Sequence, residues 1–231
     1  SRRYLFSIMF NHQPVMINET IKNLIHDPAG TYLDCTFGLG GHSKEILENL
    51  NNDGLLIAID RDRETVPYSQ KITDKRFHYK NLNFSEIESL DIRLDGIFFD
   101  LGNSSMQLDD PDRGFSFQKD GPLDMRMNKE EEMTAEKWIN TATEKEISDV
   151  LFHLGEERKS RFYARKIVES RKKNKFNSTA QLSLFIEKYS SSQKRHPATN
   201  VFRAIRMHIN NEIEEMINGF KSAACLLKKN G

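Results

Sequence analysis

In the first hundred residues the apolar positions fall in short runs rather than helical stripes. Thr31–Thr36 (TYLDCT), Gly54–Asp60 (GLLIAID), Arg76–Lys80 and Asp95–Leu101 (DGIFFDL) have strand character, most of them bounded by glycine or charge. Between them, Ser43–Leu50 and Asp62–Ile72 have helical spacing, and Ser85–Leu90 is a shorter helical stretch. Continuous strands separated by helices are what a parallel sheet covered on both faces requires. The pattern therefore predicts an α/β sheet of four strands.

Beyond Leu101 the pattern changes. Asn103–Asn128 is rich in Gly, Asp and Pro and longer than an ordinary connector. From Thr134 to Gly231 the apolar residues keep helical spacing and predict no strand. Thr134 opens this region with a weak cap signal, because Lys137 stands where a capping box carries Glu. Ser178–Tyr189 predicts a helix ended by Ser190–Ser192. The strongest periodicity joins Phe202, Ile205, Ile209, Ile213, Ile217, Phe220, Ala224 and Leu227, and predicts one long helix. Lys228–Gly231 (KKNG) has the form of a run-in to another strand, so a further strand is expected after it. The expected organisation is an α/β core over 1–128, a helical insert over 129–197, and a long helix over 198–231 that returns to the core.

Charge narrows the choice of partners. The 34 basic and 34 acidic side chains cancel, so any nucleic-acid contact must use local patches. Nine basic residues and one acid, Glu169, lie between Arg158 and Lys175. That run reads either as a solvated helix face or as a stripe that follows a phosphate backbone. Mean hydropathy is −0.64, and no apolar run approaches the ~18–20 residues of a membrane span. Cys35 and Cys225 form no CxxC pair, which excludes a disulfide scaffold and fits a reducing compartment. The scattered histidines have no metal-site spacing, so no metal is expected. Ser1–Phe10 is too short for a secretory signal, and Met9 is a candidate start. A cytoplasmic location is expected, with the mitochondrial matrix as the alternative.

The candidate chemistry gathers at the predicted strand ends. Gly38, Gly40 and Gly41 lie between the first strand and its helix, where glycine lets backbone N–H groups approach a ligand. Asp60 ends the second strand 20 residues after Gly40, the offset at which an acid accepts the two ribose hydroxyls of a nucleoside cofactor. Ser43 occupies the place of the third glycine in a dinucleotide fingerprint and argues against a nicotinamide cofactor. Asp34 has two readings: it pairs the ammonium of S-adenosylmethionine, or it caps local N–H groups. Phe84 either flanks an adenine ring or joins the core. Asp100 ends the fourth strand on the side where open α/β sheets bind ligands. The polar residues after it, Ser104 among them, can hold an exocyclic amine that attacks a methyl group.

These residues resemble the small-subunit ribosomal RNA cytosine-N4 methyltransferases, a family dependent on S-adenosylmethionine. The resemblance rests on His12-Gln13-Pro14-Val15, Asp34–His42 (DCTFGLGGH), Ala58–Asp62 (AIDRD), Asn83-Phe84-Ser85 and Asp100–Asp109 (DLGNSSMQLD). It continues through Arg113–Phe117 (RGFSF), Gly121–Met127 (GPLDMRM), Gly155–Arg158 (GEER) and His196–Thr199 (HPAT). It implies a class I, Rossmann-like sheet with a helical insert after strand four that is associated with RNA recognition. Cofactor contacts are implied at Gly40, Gly41, His42, Asp60, Phe84, Asp100 and Gln107, those of His42 and Gln107 by resemblance alone. Asp100 and Ser104 are the candidate catalytic residues, and Arg113, Arg126, Arg203 and Arg206 the candidate RNA contacts. The implied partner is small-subunit ribosomal RNA or its particle, with a homodimer as a further expectation. The chain departs from the family pattern at Arg203, where the family has Gln. The family also continues beyond Gly231 with further strands, so the C-terminal strands of the sheet are expected to be missing from this chain. Two other readings compete: a catalytically inactive RNA-binding assembly factor that keeps the pocket, and a nicotinamide-dependent dehydrogenase.

Overall fold

The computed structural model describes residues 14–190, 196–229 and 231. The Ser1–Phe10 stretch, His12 and Gln13 of the first motif, and Ser191–Ser192 lie outside the described residues. The strands are β1 (Thr31–Asp34), β2 (Leu55–Asp60), β3 (Phe77–Asn81) and β4 (Gly96–Phe98). The helices are α1 (Ile17–Leu24), α2 (Gly41–Asn49), α3 (Val66–Ser69), α4 (Ser105–Asp109) and α5 (Ala135–Thr141). They continue with α6 (Glu144–His153), α7 (Ser160–Arg171), α8 (Thr179–Lys188), α9 (Ala198–Ile209) and α10 (Glu212–Leu226). The chain divides into two compact units, one of residues up to Ser105 with Glu215–Gly231, the other Met106–Glu214. The boundaries expected at 128 and 197 both fall inside the second unit.

In the first unit all strand pairs are parallel and the sheet order is β3-β2-β1-β4. Leu56–Ile59 are buried without interruption, as a strand covered on both faces requires. One apolar cluster, with Leu33, Ile57, Ile59 and Leu94, includes Ala223 and Leu226 of α10. Another gathers Tyr32, Leu56, Ile46 and Leu47, the last two from α2. Gly96 sits opposite Tyr32, and a Cβ there would lie 2.9 Å from Leu24 and 3.0 Å from the Tyr32 ring. Past α10, Leu227 forms a parallel bridge with Leu94, and Lys228 N–H donates to the Leu94 carbonyl at 2.9 Å.

The second unit is helical, around Ile139, Ile147, Leu151, Ile167, Leu182 and Ile205. Thr134 does cap its helix, its hydroxyl accepting Lys137 N–H at 3.1 Å, although the box partner is absent. A full capping box lies at Thr143 and Glu146.

The long C-terminal helix is not continuous. It breaks at Asn210 and Asn211, where Asn211 has φ 49°, a left-handed conformation that asparagine tolerates better than most residues. The break is fixed by the Asn210 side chain, which is fully buried. Its amide donates to the carbonyls of Met125 (2.7 Å) and Arg206 (2.8 Å), and its oxygen accepts Met127 N–H (2.7 Å). Ile213, Ile217 and Phe220, expected on one buried stripe, remain 41%, 45% and 46% exposed. The stretch Asp62–Ile72 is likewise shorter than expected, a 3-10 turn at Arg63–Thr65 running into α3 with Pro67 in its first turn.

Candidate functional site

The loop from β1 to α2 is shaped by its glycines. Gly38 and Gly40 have φ 53° and 79°. A Cβ on Gly40 would lie 2.7 Å from the Phe37 ring, and one on Gly41 would lie 2.6 Å from Pro14. Phe37 is buried between Phe77 and Tyr79 of β3. The loop therefore lies close over the carboxyl ends of β1 and β2, and α2 is preceded by Gly40 at its cap position, with no side-chain cap. Such a start presents backbone donors.

Asp34 takes the second of its two readings. Its carboxylate is fully buried, accepting the Ser43 hydroxyl at 2.6 Å and Thr36 N–H at 3.0 Å. Burial pushes its carboxyl up, against the pull of those hydrogen bonds. Ser43, which breaks the dinucleotide pattern, thus has a positive role in pinning the start of α2 to the end of β1.

Asp60 is half-buried at the end of β2. One carboxylate oxygen accepts Gly38 N–H and the other Asp62 N–H, both at 2.8 Å. Four lone-pair directions on a carboxylate leave acceptor capacity for two hydroxyls. Burial pushes this carboxyl up to about 7.

His42 lies in the first turn of α2, mostly buried, with Nε2 3.1 Å from the Val15 carbonyl oxygen. Its Nδ1 is 3.8 Å from Asp100, and its ring rests 4.5 Å from that of Phe98. Asp100 is exposed just beyond β4, and its N–H donates to the Thr36 hydroxyl at 2.7 Å. Gly102 follows with φ 141°, and a Cβ there would meet nothing within 4 Å. Half-buried Ser104 belongs to the same loop, its Cβ 3.9 Å from where a Gly38 Cβ would sit. The loops after β1 and β4 thus bring Gly38, His42, Asp100 and Ser104 together. Phe84 is half-buried against its own cluster, edge-on to Phe99 at 5.8 Å and tight over Gly219 of α10. Gln107 is buried on α4 and falls in the second unit.

The four arginines singled out in the sequence are committed to the second unit. Arg113 is 1% exposed and donates to the Arg126 and Met127 carbonyls at 3.0 and 3.2 Å. Arg126 holds Asp124 at 2.7 and 2.8 Å and reaches the Lys129 and Glu131 carbonyls. Arg203 donates to the Gly155 carbonyl at 2.9 Å and pairs with Glu156 at 3.3 Å, and Arg206 pairs with Glu212 at 2.7 Å. Asn210, which no sequence signal singled out, joins these segments. Its one clue is the Asn-Asn pair inside an apolar periodicity.

Among the described residues no group of three or more His, Cys, Asp or Glu could hold a metal ion, and no helix is long and apolar enough to cross a membrane. The parallel order β3-β2-β1-β4, with a glycine turn after β1 and an acid ending β2, defines a Rossmann-like α/β protein. Residues 9–231 match the model of the MraW methylase family, and the chain belongs to that family. It is 42% identical over 229 residues to the ribosomal RNA small subunit methyltransferase H of Fusobacterium nucleatum, covering 95% of this chain and 73% of that one. The proteins of the same name from Idiomarina loihiensis and Buchnera aphidicola are 43% and 44% identical, over 95% and 96% of this chain and 73% and 74% of theirs.

Proposed function

We propose that the protein transfers a methyl group from S-adenosylmethionine to the N4 amine of a cytidine in small-subunit ribosomal RNA. The observation that carries this reading is Asp60, whose carboxylate spans the ends of β1 and β2 through Gly38 N–H while keeping acceptor capacity for two hydroxyls. Family membership supports the reading.

S-adenosylmethionine supplies an electrophilic methyl group on a sulfonium centre. In this reading Asp60 holds the ribose hydroxyls, and the Gly40–Gly41 backbone, His42 and Asp100 line the amino-acid end. Phe84 bounds the adenine side. The amine of the target base attacks in line, and no covalent enzyme intermediate is needed. Asp100 and Ser104 accept hydrogen bonds from that amine and orient its lone pair, and they stabilise the positive charge that develops on nitrogen before its proton leaves to solvent. Arg113, Arg126, Arg203 and Arg206 act through the loops they hold in place. In this reading the transfer calls for no metal, and the cytoplasm is the proposed location.

The test uses small-subunit particles lacking the modification and S-adenosylmethionine labelled on its methyl group, followed by nucleoside analysis. Label in N4-methylcytidine is expected. Label on a ring carbon, or none, overturns the reading. Ser104→Ala is expected to lower kcat roughly tenfold with little change in KM for the cofactor, the mark of a contact made mainly in the transition state.

A further inference from the structure

The basic residues between Arg158 and Lys175 take no part in the site described above, and the structure sorts them. Arg171 turns inward and donates to the carbonyls of Ile139 and Ala142, both at 2.6 Å, at the end of α5. Lys166 pairs with Glu169 at 2.7 Å. Arg158, Lys159, Arg161, Arg165, Lys172 and Lys173 are exposed. At about 100° per residue, Arg161 and Arg165 on α7 and Lys172, which caps its C-terminus in a helical conformation, fall within about 40° of one another along about 16 Å. Two acids face this stripe. Asp149 lies near Arg161 and is held by Lys145, and Glu169 lies near Arg165 and Lys172 and is held by Lys166. Each acid is also held by a lysine outside the stripe, at 2.7 Å.

A second, independent feature lies on the same helical hairpin. Phe152, near the end of α6, is 55% exposed, and its ring is perpendicular to that of His153 at 5.1 Å. A tight turn follows, in which Glu156 N–H donates to the Phe152 carbonyl and Glu157 N–H to that of Leu151, and it delivers the chain to Arg158 at the head of the stripe. An aromatic face left in water beside a row of cations is the pairing that single-stranded nucleic acid uses, bases on the ring and phosphates on the cations.

We infer that α6 and α7 form a binding surface for single-stranded RNA. Phe152 stacks one base, and Arg158, Arg161, Arg165 and Lys172 track the phosphates that follow. The choice of RNA over another polyanion rests on the function proposed above, but the contact needs no methyl transfer.

The experiment follows a labelled 16-nucleotide single-stranded RNA of mixed sequence by fluorescence anisotropy, with the full chain, across a range of KCl. The combined variant Arg161→Gln, Arg165→Gln, Lys172→Gln is expected to bind at least tenfold more weakly, with a log–log salt slope shallower by about 2, roughly 0.7 per charge. Phe152→Ala is expected to lose about five- to a hundredfold in affinity with the slope unchanged, and Phe152→Tyr to restore it. Arg161→Lys with Arg165→Lys keeps the slope. Wild-type affinity and slope in the triple variant would overturn the inference, as would phosphatidylserine vesicles displacing the RNA at equal phosphate concentration. S-adenosylhomocysteine titrations on the same proteins separate the two readings. Cofactor binding with RNA affinity untouched by the variants removes this surface alone, whereas stripe-dependent RNA binding without N4-methylcytidine removes only the proposed reaction.

Discussion

Asp60 carries opposite pH dependences for folding and for ligand binding. Its carboxyl titrates near 7 in the folded protein against 3.8 ordinarily. Between those values the folded state holds a proton that the unfolded chain has released. The contribution of Asp60 to stability is therefore greatest below about pH 4, declines as pH rises to about 7 and is flat above. Cofactor affinity should run the other way, rising through pH 7 as the full carboxylate becomes available. Calorimetric titration of S-adenosylhomocysteine at pH 6 and pH 8 is expected to show tighter binding at pH 8, with the difference abolished in Asp60→Asn. That variant should also bind roughly ten- to a hundredfold more weakly, the cost of losing hydrogen bonds to a charged acceptor. The glycine turn and Asp60 are legible in sequence because strand, turn and strand end fix their chemistry locally. Ser43 is not, since its partner Asp34 meets it only once α2 has folded back onto β1. The arginines were legible as charges, but Asp124, Glu212 and the Gly155 carbonyl that hold them are brought by tertiary structure.

At the level of elements, all four strands lie where the apolar runs fall, with ends shifted by at most three residues. The long C-terminal helix misled because Ile205, Ile209, Ile213 and Ile217 keep helical spacing straight across the break at Asn210. Spacing records local propensity, whereas a buried side chain that bonds three backbone groups decides the break. Asn210→Ala leaves Met127 N–H and the Met125 carbonyl buried without that partner. At about 1–3 kcal/mol for each unsatisfied group, a loss near 3 kcal/mol is expected in urea unfolding. Asn210→Asp should lose at least as much, because it sets a buried carboxylate oxygen against the Met125 and Arg206 carbonyls that the amide now serves. Gly114 closes the turn after the 3-10 helix Pro111–Arg113 with φ 70°, and a Cβ there would lie 2.3 Å from the Pro122 oxygen and 2.7 Å from Asp124 N. Gly114→Ala combines left-handed strain with that clash, and about 2 kcal/mol or more of destabilisation is expected in the same assay.

For the molecule as a whole, the cofactor reading predicts a linkage that can be measured without RNA. A ligand held only by the folded α/β unit stabilises it by about 2.7 kcal/mol at a hundredfold excess over Kd. S-adenosylhomocysteine at that excess is expected to raise the midpoint of the unit's thermal transition by about 5–10 °C. NAD at the same concentration should leave it unmoved, because Ser43 fills the place of the third dinucleotide glycine. A shift with NAD and none with S-adenosylhomocysteine would reverse the assignment.

The buried amide of Asn210 also sets an order of events in time. Its partners Met127 and Met125 are 83 and 85 residues away along the chain. Closing so long a loop becomes favourable only after the helices between have collapsed. During synthesis at about 5–20 residues per second, the backbone around Met125 waits roughly 4–17 s for Asn210 to leave the ribosome. Until then water must solvate the groups that Asn210 will take over, so the second unit can finish folding only when nearly all of it has been made.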